Sequence, residues 1–408
     1  MNILEKAVEI KNEYGKTISR QILEMLSLYR KSRLLPSEYY DFRLYENKYP
    51  ETFIGIIKSN LIWDYFNEPS CIDHVINNKD LFCIIYDDIP QPNLITTLPF
   101  SMLGYTDFCN NLETNVTVFV KPVQSYGGKG CFTITKLEEN RFLLKNGREL
   151  IREEIIDLFD FQKYPVYMVQ ETLKPNPELS KYTESSSIGA LRIITRIDEL
   201  DNYSIIGMFT KFVGKHNDVD YTSLYGNFLV GVNNFVLTHA LENSNNVHNI
   251  KFTELNGSKI QGTKIPYAKE IKKSVEKWSK MLYKDSGKKV RLLGWDIAIT
   301  EDGFCCLETN LKPGFASLQK SCDFGYSDVI NTDIKFSVNI RYTLTVWYTL
   351  LLMFIGSLVY SLFQKLGNKA TYYNDYVLNK EVAKIQKTSK SQENSYGKTC
   401  HFDGWWVR

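Results

Sequence analysis

Net charge is nearly absent from this chain: 49 Lys and Arg stand against 47 Asp and Glu in 408 residues, a formal +2. A nucleic-acid-binding domain usually carries a clearly basic face, so this balance gives no electrostatic case for such a partner. Histidine is scarce, at five, and none of the eight cysteines forms a CxxC pair, so no zinc spacing exists. Cysteines scattered like this in a long chain read as reduced thiols of the cytosol. The opening "MNILEKAVEIKNEYGK" mixes Glu and Lys through its apolar positions and does not read as a signal peptide. Two phosphate-loop templates are missing as well, GxxxxGK[ST] and GxGxxG, and no internal repeat is visible.

What the chain does contain changes character along its length. Residues 1–34 carry apolar positions at helical spacing with Gly15 as a break, and Ser37 in "LPSEYYDFRLYEN" is placed to cap a short helix. Between 52 and 110, short apolar runs separated by Pro and Asn suggest a small α/β unit. From about 114 come strands rich in β-branched and aromatic residues: "VTVFVKP", "CFTITKL", "VYMVQETL", "ALRIITRID", "YSIIGMFTKFV" and "NFLVGVN". "GRELIREEIIDLF" and "YAKEIKKSVEKWSKMLYKD" read as helices among them. The pattern is α+β with much antiparallel sheet. The expected divisions are 1–50, helical; 51–112, small α/β; 113–175 and 176–335, two α+β subdomains; 336–365, a hydrophobic helix; 366–408, a polar tail.

The hydrophobic segment, "YTLTVWYTLLLMFIGSLVYSLF" at 342–363, runs 22 residues without a charge. About 20 apolar residues can span a bilayer, and Trp347, Tyr348 and Tyr360 suit its interfaces, so membrane association is expected. The three threonines and two serines keep a buried core helix open as the alternative. The tail after it, 364–408, has eight Lys/Arg against four Asp/Glu and is expected to be largely disordered. That net +4 fits poorly with a tail crossing the bilayer, so a helix lying in the interface is the other reading.

Two stretches carry chemistry. In "VFVKPVQSYGGKG", 118–130, an alternating strand ends at Lys121 and breaks into Gly127, Gly128, Lys129 and Gly130 before another strand. Taken alone this is most simply a surface hairpin, although bare glycine amides beside a lysine can also cradle phosphates. In "LLGWDIAITEDGFCCLETNLKPG", 292–314, two strands flank "EDG". A three-residue loop with Gly303 left-handed pairs Thr300 with Phe304 and sets Asp296 opposite Glu308, with Asn310 on the same face. A two-residue loop would shift the register by one. Two carboxylates and an amide oxygen form a hard site suited to Mg²⁺ shared with phosphates. "YMVQETLKP" turns polar at Gln170 and Glu171, and Arg192 within "ALRIITRI" needs an anion if it points inward, either a ligand or a structural carboxylate.

Together these pieces resemble the ATP-grasp superfamily, specifically its sugar-transfer associated members related to α-L-glutamate ligases. The matching motifs occur in family order over about 35–320: "LPSEYYDFRLYE", "NKDLF…IPQP", "VFVKPVQSYGGKG", "VQETLKPNPEL", "IGALRIITRI" and "LGWDIAITEDGFCCLETNLKPG". The resemblance implies ATP clasped between two α+β subdomains. Lys121 would meet the α-phosphate, and Ser125 with Gly127, Gly128, Lys129 and Gly130 would cover the β- and γ-phosphates. Gln170, Glu171 and Leu173 would line the adenine. Asp296, Glu308 and Asn310 would hold one or two Mg²⁺, or Mn²⁺ in their place, and Arg192, with Lys121 and Asn310, would act in catalysis. The implied chemistry is ligation of a carboxylate to an amine through an acyl phosphate, one partner being glycan-linked, in a cytoplasmic catalytic domain; the membrane association expected of 342–363 comes from that segment, which lies outside the resemblance. Alternatives are phosphotransfer to a hydroxyl, or a non-catalytic ATP-binding subunit of a glycan-assembly complex. The chain departs from the family at Lys174-Pro175, where a histidine is common, and at Asp220-Tyr221 and Tyr225-Gly226-Asn227, where Asp-Asn and a double glycine are common. Both lie in the presumed substrate region, so the resemblance leaves the substrates and the oligomeric state unspecified.

Overall fold

A computed structural model describes residues 3–99, 102–125, 127–183, 187–213, 227–242, 251–330, 343–344 and 346–359. Asp220, Tyr221, Tyr225, Gly226 and the tail lie outside these residues. The chain divides into two compact units, Met1 with Leu23–Asn339, and Asn2–Ile22 with Ile340–Arg408.

The larger unit is built on two antiparallel sheets. Their strands are β1 (Leu94–Pro99), β2 (Thr117–Pro122), β3 (Phe132–Glu138), β4 (Arg141–Leu144), β5 (Glu149–Ile151), β6 (Val166–Glu171), β7 (Ala190–Ile197), β8 (Tyr203–Phe212), β9 (Phe228–Asn233), β10 (Val236–Glu242), β11 (Lys251–Phe252), β12 (Glu254–Leu255), β13 (Ser258–Lys259), β14 (Leu292–Thr300) and β15 (Gly303–Asn310). The first sheet has six strands in the order β1-β6-β2-β3-β4-β5, the second seven in the order β11-β10-β9-β8-β7-β14-β15, and β12 and β13 pair separately. The six strands read from the sequence all form. The 52–110 stretch differs: it is mostly helical (Ile56–Phe66, Asp73–Asn77, Lys79–Ile85, Met102–Asn111), and its one strand, β1, joins the first sheet beside β6.

Period-two alternation sorts the seven-stranded sheet into two faces. Ile193, Leu293, Trp295 and Ile297 pack with Ile271, Val275, Trp278 and Leu282 of helix Ala268–Asp285. Ile194, Phe209 and Leu292 pack on the opposite face with Phe315 and Leu318 of helix Phe315–Cys322. Trp295, fully buried, donates its indole N–H to Ser279 Oγ at 3.0 Å and Thr195 Oγ1 at 3.2 Å, which satisfies the one polar atom that burial would orphan.

Two local expectations fail. "GRELIREEIIDLF" is not one helix: Glu149–Ile151 is the edge strand β5, burying Leu150, and only Arg152–Leu158 winds into a 3₁₀ helix. Its charge pattern is helical, but the sheet edge offers β5 backbone partners that a surface helix would not. Ser37 does not cap helix Pro36–Asp41; Leu35 holds that position, and Glu38 accepts from the N–H groups of Leu35 (2.7 Å) and Ile56 (2.6 Å). Pro36 at the first helical position fixes the start two residues earlier than the serine suggests.

The smaller unit holds helix Ile3–Tyr14, which buries Ala7 and Ile10, and Gly15, which breaks it with φ 64°. Gln21 donates its side-chain amide to Ala7 O (2.9 Å) and Lys16 O (2.8 Å). Residues 346–359 form a helix that buries Val346, Leu350 and Met353, while Trp347, Tyr348, Leu351, Phe354, Ile355 and Leu358 are exposed. Among the described residues no helix is long and apolar enough to cross a membrane. The spanning form of the expectation for 342–363 therefore finds no support.

Candidate active site

A cavity of about 570 Å³ in the larger unit is lined by both sheets. That volume suits a ligand of nucleotide size. The first sheet supplies one alternation of β2 and β3: Thr117, Phe119 and Lys121, with Thr133 and Thr135, while Val118, Val120, Phe132 and Ile134 point into the core. Lys121 lies one residue beyond the last β2–β3 pair, Val120 with Phe132, but stays in the sheet opposite Met168 of β6. It is 7 % exposed. Burial pushes its ammonium pKa down; Glu308 pulls it up and Lys79 depresses it further.

The glycine run forms the β2–β3 loop. Gly127 and Gly128, at φ 68° and 71°, line the cavity together with Ser125. Gly130, at φ 75°, leaves no room for a side chain, since a Cβ there would stand 3.0 Å from Pro122 and Tyr164. Gly130 and the exposed Lys129 do not line the cavity, unlike the other loop positions expected to do so.

The second sheet contributes a row of charges on adjacent strands. Glu308 of β15 is opposite Asp296 of β14, which is opposite Arg192 of β7. The expected pairing is there, but by another route. Thr300 pairs with Gly303 across a two-residue turn, which alone would shift Glu308 out of line. A β-bulge at Leu307 adds the missing residue and restores the register at Asp296. Leu307 and Glu308 consequently both line the cavity, which a regular strand does not allow. Asn310 pairs with Gly294 and donates to Glu308 Oε1 at 3.3 Å; it does not itself line the cavity.

Arg192 engages both oxygens of Asp296, Nε donating to Oδ1 and Nη2 to Oδ2 at 2.6 Å. Gly294 is required by Pro313 and not by the arginine: a Cβ there would stand 2.8 Å from Pro313 Cβ but only in ordinary contact, 3.4 Å, with Arg192 Nη1. Burial raises the Asp296 carboxyl above its ordinary value, with the Arg192 charge working in the other direction. Glu308 behaves differently. Burial again favours its neutral form, yet Lys79, Lys121 and Arg192 outweigh this and bring it down to about 2. Three cations keep Glu308 ionised, whereas at Asp296 burial outweighs the guanidinium that faces it.

At the expected adenine hinge, Gln170, Glu171 and Leu173 line the cavity, but the first two side chains are engaged behind it. Gln170 donates to Pro92 O at 3.1 Å, and the Glu171 carboxylate accepts from Asn93 N and Nδ2, both at 2.9 Å. Backbone around 172–173 is what this edge offers a ligand.

Sequence reasoning missed Lys79 and Lys211. Lys79 opens helix Lys79–Ile85, donates to Ser125 O at 2.6 Å, and stands 3.6 Å from Glu308 Oε2, so it links the glycine loop to the carboxylate row. It sits inside the motif "NKDLF", where its charge was the available signal. Lys211 of β8 lines the cavity and its charge reaches Asp296, which only the sheet order reveals.

Among the described residues no group of three or more His, Cys, Asp or Glu is arranged to hold a metal ion. The donors that converge on the cavity are the two carboxylates of Asp296 and Glu308, while Asn310 turns its side-chain N–H to Glu308 and lies outside the lining. Both carboxylates offer oxygen only, which fits a hard divalent ion better than a soft one.

The profile of the sugar-transfer associated ATP-grasp family matches residues 58–329. The chain belongs to that family. As a member, it carries the match across about two thirds of its length, and the whole cavity lies inside the matched span. Among solved structures it is similar to D-alanyl-alanine synthetase A from Vibrio cholerae, at 14 % identity and a TM-score of 0.37, covering 68 % of this chain and 66 % of that one. VanG D-Ala:D-Ser ligase from Enterococcus faecalis gives 14 % and 0.36, covering 63 % and 60 %. N5-carboxyaminoimidazole ribonucleotide synthetase from Thermotoga maritima gives 10 % and 0.30, covering 58 % and 42 %. The chain thus spans at most about two thirds of the length of these three proteins. A comparison with curated proteins found no match.

Proposed function

We propose that this ATP-grasp protein is an ATP-dependent ligase that joins a carboxylate to an amine, one of them carried on a glycan. The observation that carries this reading is the meeting of Lys121, the glycine loop and the Glu308–Asp296–Arg192 row in one cavity of nucleotide size. The glycan rests on the sugar-transfer association of the family.

In this reading Lys121 and Lys79 set two ammonium groups against the phosphates of ATP, and the amides of Gly127 and Gly128 cover them. Glu308, Asp296 and Asn310 would hold Mg²⁺, which would neutralise phosphate charge when bound. The substrate carboxylate takes the γ-phosphoryl group, with Arg192 beside the charge that develops in transfer. The amine then attacks the acyl carbon; the C–N bond forms, the C–O bond to phosphate breaks, and the amine's proton leaves with the departing phosphate. Activation is needed because a bare carboxylate is a poor acyl donor.

The exposed face of the 346–359 helix supports a membrane-associated form of the protein, with the aromatic rings of Trp347 and Tyr348 at the lipid interface and the catalytic unit in the cytoplasm. Mass spectrometry of surface glycans from cells with and without the gene tests the substrate. Loss of an amide-linked substituent supports ligation. A phosphorylated glycan that disappears instead would replace it with phosphotransfer, and an unchanged glycan would remove the glycan from the reading.

A further inference from the structure

Asp296 has a cation on one side and a carboxylate on the other. Arg192 takes both of its oxygens, and the two side chains are only 14 % and 9 % exposed. Glu308, directly opposite on β15, has its own cation in Lys79, 3.6 Å from Oε2. A divalent ion shared by Glu308 and Asp296 would therefore approach a carboxylate already gripped by a guanidinium, and two cations on one carboxylate repel at this depth. Arg192 also lines the open cavity, so a change of rotamer has space to carry its guanidinium there once Asp296 takes another cation.

We propose that Arg192 is the placeholder for the divalent ion on Asp296, and that arrival of the ion releases the arginine into the cavity. This rests on the reading of Asp296 and Glu308 as the cation site. It makes Arg192 a positioning residue in the resting protein and a phosphate-facing one only once the ion is in place. The transferring phosphoryl group then meets its arginine only when metal and nucleotide are both present, which guards ATP from turnover in a half-assembled site.

The test is a Mn²⁺ titration of the full chain without nucleotide, read by electron paramagnetic resonance, on wild type, Arg192→Met and Lys211→Met. Removing a competitor that occupies the site most of the time should tighten Mn²⁺ binding by about tenfold or more in Arg192→Met. Lys211→Met removes a nearby charge without freeing Asp296, and should change affinity by less than about threefold. Equal effects of the two variants, or weaker Mn²⁺ binding in Arg192→Met, would overturn the proposal. A second readout guards against a misfolded variant: the ¹⁵N–¹H resonance of Arg192 Nε in the wild type. It should leave its hydrogen-bonded position on adding Mg²⁺ with ADP and keep it with ADP and EDTA. If it stays while other resonances report bound Mg·ADP, the placeholder fails and the nucleotide reading stands. If no divalent ion binds any of the three proteins, the cation-site reading fails and the placeholder with it.

Discussion

Two hairpins meet at the cavity, and they use opposite ends of the same motif. In β2–β3 the tip does the chemistry: a glycine loop at positive φ hangs over the site, with Lys121 at its root. In β14–β15 the tip is a plain two-residue turn with Glu301 and Asp302 exposed, and the stem carries Asp296 and Glu308. A loop advertises its role by composition, because only glycine tolerates those dihedrals cheaply. A stem advertises its role only through register, and one bulge decides that register.

The sharpest way to break this contrast is in the second stem. Glu308→Gln keeps the shape and removes the charge that Lys79 and Lys121 face, and should lower Mg²⁺-dependent ADP release by about 10²-fold or more. Gly128→Ala tests the first tip: a methyl at φ 71° strains the loop by about 1–2 kcal/mol and should weaken ATP binding about tenfold, with the fold intact by circular dichroism.

Stability against pH separates the two carboxylates. Glu308 has its pKa lowered in the fold from 4.5 to about 2, so its contribution is complete above about pH 4.5 and is lost as pH falls toward 2. Asp296 is shifted upward from 3.8, so its contribution has the opposite sign, present below that value and lost as pH rises through the folded pKa. Urea midpoints measured across this range should flatten on the acid side in Glu308→Gln and steepen in Asp296→Asn. The smallest effect belongs to the second tip. Asp302→Asn, exposed and away from the cavity, should leave both midpoint and turnover within about 0.5 kcal/mol of wild type.

Much of the site is legible in the sequence because alternation is a local rule. Lys121 ends a run in which Thr117 and Phe119 share its face, and Asp296 interrupts an apolar strand where a charge needs a partner. A three-residue loop predicts the pairing of Asp296 with Glu308; a shorter turn and a bulge at Leu307 give the same pairing. Local spacing could not separate these, since both insert one residue between the same strands. Nor could it show that Arg192 grips Asp296, because β7 and β14 are about 100 residues apart and become neighbours only through sheet order. Where local pattern conflicted with a tertiary partner, the partner prevailed: the charges of Glu149–Ile151 read as helix, and the free edge of β4 drew them into a strand.

The central claim is that Lys121 and the carboxylate row hold one nucleotide with a divalent ion between them. Calorimetric titration of the full chain with a non-hydrolysable ATP analogue tests it most directly. One binding site is expected, dependent on Mg²⁺ and weakened about tenfold or more by Lys121→Met. Binding with the same affinity in EDTA, or unchanged by Lys121→Met, would contradict it.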